Sequence, residues 1–497
     1  WLRTPAPQCR PRRSGYTLSA IFTYRTAIMR DATSVSYNRE GISNFLGLTG
    51  LYLFSLFAFL GTAGAEMGLL MMLLALMLDA PNAWSIVRRD PVFPVFLASA
   101  IYLAWRAYDA ASEFPSTSSL QWGDGSGWLN LWFLLFVAWW LDGNTRRLLI
   151  CLGLAFLGFV TNALMEIDWS NWQALFHGQR YGFGFVAIMS GLLAGIGTIG
   201  LIVFAKRLWG GSKNRKQFAL RVALWLITLL FLLQILLVSQ SRGAWIATAA
   251  VLPPLLAVYV VRFARRHGVR RLLVPSLIAL VVGSLAMGVM AINSGMLERR
   301  VAYEDALFAN LVRGVSVEQV PYTSVGRRIH MLHFGFRRWL ERPFLGWGPG
   351  TKVTRLFGKA DFKDPLQAKE AEMLTPHPDL HNSYLVVLTR LGVLGALLFG
   401  ILPLMVIRAT WVAHRRRHMP TDVFLFLLAA FGANALWCLI DFRMVHIDYR
   451  ELVLLLGGAA YTYHIARRKQ SISHASAHSD VSNTSAMAAG RAHRTDT

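Results

Sequence analysis

Long apolar runs recur along this chain, and they restrict its fold more than any other feature. A run of about 20 residues matches the hydrocarbon thickness of a bilayer when it is helical. Only helices and closed barrels satisfy every backbone group inside lipid, and these runs are continuous rather than alternating. Of the 497 residues, 55% are hydrophobic, which agrees with this interpretation. We therefore predict an all-α, polytopic integral membrane protein.

The apolar runs predict about 12 transmembrane helices. The second and fourth runs are the shortest of the set. The predicted helices cover 43–62, 65–80, 91–108, 127–141, 148–164, 182–205, 222–240, 243–261, 272–292, 383–407, 422–440 and 447–465.

Basic residues follow every second predicted helix, whereas the short loops between them carry few. Arg88 and Arg89 follow the second helix, for example, and Arg146 and Arg147 follow the fourth. Because cytoplasmic loops carry the excess of Lys and Arg, this alternation places both termini in the cytoplasm. The same bias explains the net charge of +23. No basic soluble module is visible, so nucleic-acid binding is not expected.

The two ends of the chain differ from the apolar part between them. Residues 1–28 are rich in Pro and Arg and lack the apolar core of a signal peptide. We expect them not to belong to the native protein and Met29 to be its start, and we place 1–42 in the cytoplasm. Residues 466–497 are rich in Ser, His and Ala without periodicity, which predicts a disordered cytoplasmic tail.

One long loop, 293–382, separates the nine predicted helices of 43–292 from the three of 383–465. The alternation of basic loops places it on the outer side, although it is rich in Arg and Lys. It is either a solvated face or an anion-binding surface. Apolar residues recur at helical spacing over 327–341, which predicts an amphipathic helix on the membrane surface. The Gly/Pro turn FLGWGPG follows this helix.

A polar break, SQSRGAW, joins the seventh and eighth predicted helices and contains Arg242. An arginine at the bilayer centre costs about 2.5–3.5 kcal/mol, so Arg242 implies water or an anionic partner. It either extends to lipid headgroups or binds phosphate oxygens in a bidentate manner. Arg327 and Arg328 on the amphipathic helix have the same two interpretations, and chemistry alone does not separate them.

A polar turn with two prolines and two histidines, His377 and His381, precedes the tenth predicted helix. Asp379 or Asn382 can cap that helix. His381 therefore lies where water meets lipid headgroups. It is either a structural or capping residue, or a base that accepts a proton from a hydroxyl group. His377 is the weaker candidate.

Two motifs are absent from the sequence. The chain contains no Asp-x-Asp pair, which argues against a metal-bound nucleotide-sugar donor, and no phosphate-binding P-loop, which argues against ATP hydrolysis. The cysteines have no spacing typical of a disulfide or a metal site. We therefore expect neither a metal nor a cofactor.

Three motifs in this order resemble one family. They are SRGAW, the Arg-led amphipathic segment that ends in PFLGWGPG, and HNSYLxxLxxxGxxG at the start of the next helix. Together they resemble the O-antigen ligase and polymerase superfamily of bacterial envelope proteins. That resemblance implies about 12 helices, a large periplasmic loop, cytoplasmic termini and a location in the inner membrane, with the active site facing the periplasm.

The resemblance also implies roles for particular residues. Arg242 and Arg328 would hold the diphosphate of a polyprenyl-diphosphate-linked glycan, and His381 would contact or activate the acceptor hydroxyl. The family often has Trp four residues after the loop arginine, but Leu332 stands there in this chain, which keeps the neighbouring arginine as an alternative. Other side chains are expected to contact the substrates: Ser241, Arg327, His377 and Asn382.

These roles describe a metal-independent glycosyltransferase that moves a glycan from undecaprenyl diphosphate to lipid A–core. Membrane lipids are expected as further partners. The basic outer loop favours this phosphate-rich acceptor. A polymerase with a glycan acceptor and a protein O-oligosaccharyltransferase remain alternatives. A transporter is less favoured, because no internal repeat is evident.

Overall fold

The computed structural model describes residues 39–176, 178–268, 283–284, 287–295, 298 and 316–492. Its regular secondary structure over these residues is helical, which confirms the all-α prediction. The principal helices are α1 (39–57), α2 (Thr62–Leu78), α3 (Ala80–Val87), α4 (Val92–Glu113), α5 (Ser118–Asn130), α6 (Leu134–Leu141), α7 (Thr145–Met165), α8 (Ala187–Trp209), α9 (Arg215–Val238), α10 (Arg242–His267), α11 (Ser324–Glu341), α12 (Val353–Leu356), α13 (Pro365–Leu374), α14 (Ser383–Arg415), α15 (Thr421–Cys438) and α16 (Ile447–Ala492).

Within the described residues, six helices are long and apolar enough to cross a membrane, namely α7, α8, α9, α10, α14 and α15. The pair α2 and α3 makes a seventh if its two parts form one span. The chain is thus a multi-pass membrane protein. Most of the predicted helix 272–292 lies outside the described residues, and the number of 12 spans stays a prediction.

Two of the first four predicted helices are not single straight rods. The helix predicted at 65–80 bends by 94° between α2 and α3. Pro81, in the first turn of α3, lacks the backbone N–H that a continuous helix would need. The helix predicted at 127–141 consists of the end of α5, a 3₁₀ turn at Leu131–Phe133, and α6.

The tail predicted to be disordered is helical as far as Ala492, because α16 continues into it. No proline or glycine interrupts 459–489, so a helix nucleated by the packed part of α16 can extend at little cost. The disorder expected for 466–497 stays a prediction.

The predicted tenth helix is broken at Gly392, where φ is +62° and ψ is −172°. The PFLGWG segment packs against this break, and a Cβ on Gly392 would lie 2.2 Å from the carbonyl oxygen of Phe344. Four backbone hydrogen bonds join the two segments: Trp347 N–H to Thr389 O (2.8 Å), Gly348 N–H to Arg390 O (2.9 Å), Val393 N–H to Pro343 O (2.8 Å) and Leu394 N–H to Phe344 O (3.2 Å). The predicted Gly/Pro turn thus provides hydrogen-bond partners for backbone groups that the break in the helix leaves unpaired.

Helix α11 includes the amphipathic segment predicted from the sequence, although it begins at Ser324. Its buried face includes Met331 and Phe334 and packs in a core shared with α4, α5 and α14. Leu332, Phe336 and Leu340 are 41%, 49% and 51% exposed. Their spacing of four residues forms an apolar stripe on the outside of the helix, which suits the predicted contact with the membrane surface.

Ion pairs join loops that the sequence assigns to the same side. At the predicted cytoplasmic side, the pairs are Arg207–Asp422, Arg468–Asp90 and Lys469–Asp142. At the other side they are Arg342–Glu113, Arg390–Asp124 and Arg450–Glu66. We call the second side, which includes 114–117, 239–241 and 439–446, the outer end.

Candidate active site

His381 and Asp441 form a hydrogen-bonded pair at the outer end. The Nδ1 atom of His381 lies 2.9 Å from Oδ1 of Asp441. The carboxylate is 1% exposed, whereas the imidazole is 35% exposed. An acceptor at Nδ1 holds the proton there and leaves a lone pair at Nε2. None of the described residues hydrogen-bonds to that Nε2 atom.

The backbone around His381 is held in an uncommon conformation. His381 has φ of +49°, in the left-handed region that costs a non-glycine residue free energy. Asn382 caps α14, since its Oδ1 accepts from the Leu385 N–H at 2.9 Å and its Nδ2 donates to Leu439 O at 2.9 Å. The Ser383 hydroxyl donates to the backbone oxygen of Asp441 at 2.7 Å. These bonds tie the start of α14 to the segment that carries the carboxylate, and they favour a structural role for Asn382.

Arg390 is a buried arginine that ties the histidine turn to the rest of the outer end. It is 2% exposed and donates to Asp379 Oδ1 at 2.8 Å and to Asp124 Oδ2 at 2.7 Å. It also donates to the carbonyl oxygen of Pro349 at 3.1 Å. Asp379 therefore pairs with Arg390 and does not cap α14. Removing one partner from such a buried pair leaves an uncompensated charge, so Arg390 positions the turn.

Arg327, rather than its neighbour, contacts the second histidine. Its guanidinium lies 2.8 Å from Nε2 of His377, whose ring centre is 6.5 Å from that of His381. Burial lowers the pKa of His377, and the charges of Arg327 and His381 lower it further. A neutral His377 accepts the hydrogen bond from Arg327. Arg328 is half-buried on the same helix, about 100° further around its axis.

The SRG segment also lies at the outer end, where Gly243 contacts the loop that carries Asp441. A Cβ on Gly243 would lie 3.4 Å from Cβ of Ile440, the residue before Asp441. Arg242 is half-buried in the first turn of α10, where the helix dipole also attracts anions. The Ser241 hydroxyl accepts from the Ala244 N–H at 3.3 Å and caps the helix. The hydroxyl hydrogen can still donate, so the substrate contact of Ser241 stays a prediction.

An apolar cavity of about 450 Å³ is lined by residues that lie three positions from His381 and from Asp441 in the sequence. It lies among α6, α14, α15 and α16 and is lined by Tyr384 and Cys438 near the outer end and by Pro403 and Ile407 further along. Tyr384 and Cys438 are close in sequence to His381 and Asp441. The lining of the cavity therefore extends from residues next to the histidine–carboxylate pair in sequence to the apolar part of the helices.

Sequence reasoning missed Asp441 and Arg390. Asp441 is 60 residues from its histidine, and only the fold brings them together. A signal was present, since ionisable residues inside or at the edge of an apolar run are usually functional or paired. Another missed residue is Arg180, whose Nε donates to Ser239 O at 3.0 Å and which adds a guanidinium beside the SRG segment. Within the described residues, no three His, Cys, Asp or Glu side chains are placed to hold a metal ion.

The fold and this site define a multi-pass membrane protein with a carboxylate-oriented histidine at one end of its helices. Residues 227–400 match the family model described as O-antigen ligase, which confirms the resemblance predicted from the three motifs. No curated protein matches the chain. The family match supports a membrane enzyme that acts on glycans, of the ligase or polymerase kind.

Proposed function

We propose that this protein transfers a glycan from undecaprenyl diphosphate to lipid A–core at the periplasmic face of the bacterial inner membrane. The observation that carries the proposal is the buried Asp441 that orients the half-exposed imidazole of His381. This arrangement suits a base that accepts the proton of an acceptor hydroxyl at Nε2. The acceptor oxygen then forms a bond to C1 of the first sugar, and the bond from C1 to the diphosphate oxygen breaks.

Negative charge grows on the leaving diphosphate as this bond breaks. Fixed guanidinium groups and a helix N-terminus stabilise such charge without reorganising. Arg242 at the start of α10 provides both, with Arg180 nearby. From the long loop, Arg327 already contacts the histidine turn, and Arg328 remains the residue that the family resemblance favours.

The two lipid substrates have matching features in the described structure. The apolar cavity that begins at Tyr384 and Cys438 suits the prenyl chain of the donor, because it is lined by side chains of the membrane helices. On the long loop, Arg337, Arg355 and Lys363 are exposed. A basic outer surface suits the phosphates of lipid A–core, which favours the ligase over the alternatives.

Complementation of a ligase-deficient bacterium tests the proposal. We expect the wild type to restore long-chain glycan on the surface lipid, and we expect His381→Ala and Arg242→Ala to fail at equal membrane abundance. Gly41→Ala is a suitable control, because a Cβ at Gly41 meets nothing within 4 Å and the residue lines neither the site nor the apolar cavity. If the wild type instead lengthens lipid-linked glycan without any transfer to lipid A–core, the protein is a polymerase. Transfer to protein would identify an oligosaccharyltransferase.

A further inference from the structure

A second, polar cavity of about 540 Å³ lies at the outer end, where Arg443, Val445 and His446 of the 439–446 loop line it. Its walls are the turn between α1 and α2, the loop before α8, and the start of α16. Cavities of about 300–1,000 Å³ are typical of small-molecule sites. The catalytic scheme above uses none of the side chains that line this cavity.

Glu451 is the feature that points to a ligand. It lines the cavity, is 1% exposed, and its Oε1 atom has no hydrogen-bond partner among the described residues. A buried polar atom without a partner is costly and rare in folded proteins. A ligand that donates a hydrogen bond into the cavity would satisfy this carboxyl oxygen.

The other walls combine polar and apolar groups. Asn162, Arg443 and His446 supply donors and acceptors, and Phe59 and Phe185 supply aromatic surface. Arg443 is held by Asp448 at 2.8 Å, so its orientation is set before any ligand arrives. A pyranose ring needs this combination, because its hydroxyl groups require hydrogen-bond partners while its C–H faces are apolar.

The cavity and the candidate active site share the 439–446 loop, which forms one wall of the cavity and carries Asp441. Val445 lies against α5, since a Cβ on Gly127 would be 3.2 Å from Cβ of Val445. Burial and the charge of Arg443 lower the pKa of His446, while the nearby carboxylates of Asp379 and Asp124 oppose them. His446 is therefore near the same carboxylates that hold Arg390 behind the histidine turn. A ligand in this cavity would lie beside the site and not within it.

We propose that the polar cavity binds one sugar unit of a substrate glycan, with Glu451 accepting a hydroxyl hydrogen bond. This inference rests on the proposed function and deepens it. The sugar comes either from the donor glycan or from the core oligosaccharide of the acceptor, because the same hydroxyl chemistry serves both. Glu451 is a specificity residue here and takes no part in bond breaking.

Equilibrium binding of two lipid-free oligosaccharides to the purified full chain tests the inference. One probe is the repeat unit released from the donor, and the other is the core oligosaccharide released from lipid A–core. We expect at least one to bind the wild type, and Glu451→Met, which removes the acceptor, to weaken that binding at least tenfold. Glu372→Gln, which removes an exposed carboxylate paired with Lys359, should leave it unchanged. The probe that responds identifies the source of the sugar.

A thermal-unfolding scan of the same proteins separates binding from a structural role. Glu451→Met replaces an unsatisfied buried carboxyl by an apolar side chain of similar size, so its midpoint should equal or exceed that of the wild type. A lower midpoint, unchanged binding in Glu451→Met, or no binding of either probe would overturn the inference. Failure of the proposed function gives a different result, in which oligosaccharide binding still depends on Glu451 but no glycan is transferred.

Discussion

At the residue scale, the chemistry of the site depends on how Asp441 prepares His381. A lone imidazole can carry its proton on either nitrogen, and only one tautomer presents a lone pair to the acceptor hydroxyl. The buried carboxylate at 2.9 Å favours the proton at Nδ1 and stabilises the imidazolium that forms when Nε2 takes a second proton. Asp441 is thus a positioning residue that acts through His381.

Replacing Asp441 by Asn should reduce kcat by about 10²–10⁴-fold, because the tautomer control is lost while the shape of the side chain is kept. KM for both substrates should change little. Initial rates of glycan transfer by purified protein would measure this. The matched control is Asp422→Asn, which removes a carboxylate paired with Arg207 at the opposite end. Equal rates in the two variants would refute the role of Asp441.

The pair Arg327–His377 predicts an acid-sensitive contact. The folded-state pKa of His377 is lowered, mainly by burial and then by Arg327 and His381. Its contribution to stability is therefore complete above the unfolded pKa of about 6.5 and is lost as the pH falls toward the lower folded value. Thermal unfolding from pH 7.5 to 5 should show a smaller acid loss in His377→Gln, which keeps an acceptor for Arg327 without titrating. The same acid loss in both proteins would contradict this.

Residue chemistry and spacing gave His381 and Arg242 as candidates and Asp379 or Asn382 as the cap, because those signals are local, and the structure has the cap at Asn382. They did not predict Asp441 or the partners of Arg390, because these contacts join distant parts of the chain. The Arg327 and Arg328 alternatives also stayed open for this reason. Only the packing of α11 against the histidine turn distinguishes their surroundings.

At the element scale, the broken helix α14 sets the position of the site. Its first part, 383–391, stands apart from the longer membrane part after Gly392. The carbonyl groups exposed by the break find partners, since the Tyr102 hydroxyl donates to Leu391 O at 2.5 Å and backbone N–H groups of Trp347 and Gly348 fill others. From α4, Arg106 holds the carbonyl oxygen of Gly346 at 3.0 Å.

Gly392→Ala should destabilise the protein by at least about 1–3 kcal/mol, the cost of a strained backbone, with a steric clash in addition. The new Cβ would meet Phe344 O at 2.2 Å and displace the PFLGWG segment. Gly400→Ala lies in the same helix and its Cβ meets nothing within 4 Å, so its effect should be small. Thermal midpoints and detergent-extracted yields of the two variants test this, and similar values would show that the break does not need glycine.

The sequence predicted the turn FLGWGPG and the apolar run after His381 but not their association. Hydropathy measures apolar composition and does not detect a break within an apolar run, so 383–407 was predicted to be one helix. Hydropathy did not predict the bend at Asp79 for the same reason. Composition also does not register that a helix is already present upstream, and α16 continues as far as Ala492.

At the scale of the whole molecule, the ion pairs divide into two groups. The six pairs described above each join residues on the side to which the distribution of Lys and Arg assigns them, although they connect residues as far apart as Arg468 and Asp90. The positive-inside bias and the tertiary contacts are independent observations, and they agree on which loops lie together.

Labelling of single introduced cysteines tests which side of the membrane each loop faces. In a chain with Cys9 replaced by Ala, Gly123→Cys should react with a membrane-impermeant maleimide added to the periplasmic side, whereas Lys213→Cys should react only after the membrane is opened. Both positions are exposed, and native Cys151 and Cys438 are buried and should stay unlabelled. Reaction of Lys213→Cys in intact membranes would reverse the predicted orientation.

The central claim is that His381 accepts a proton during glycan transfer at the outer end. The most direct measurement is the initial rate of transfer from undecaprenyl-diphosphate glycan to lipid A–core by purified wild type and His381→Gln. Glutamine can keep a hydrogen bond to Asp441 but cannot act as the base. We expect the variant to bind both substrates and to react about 10²–10⁴-fold more slowly. A His381→Gln variant that transfers glycan at the wild-type rate would contradict the account.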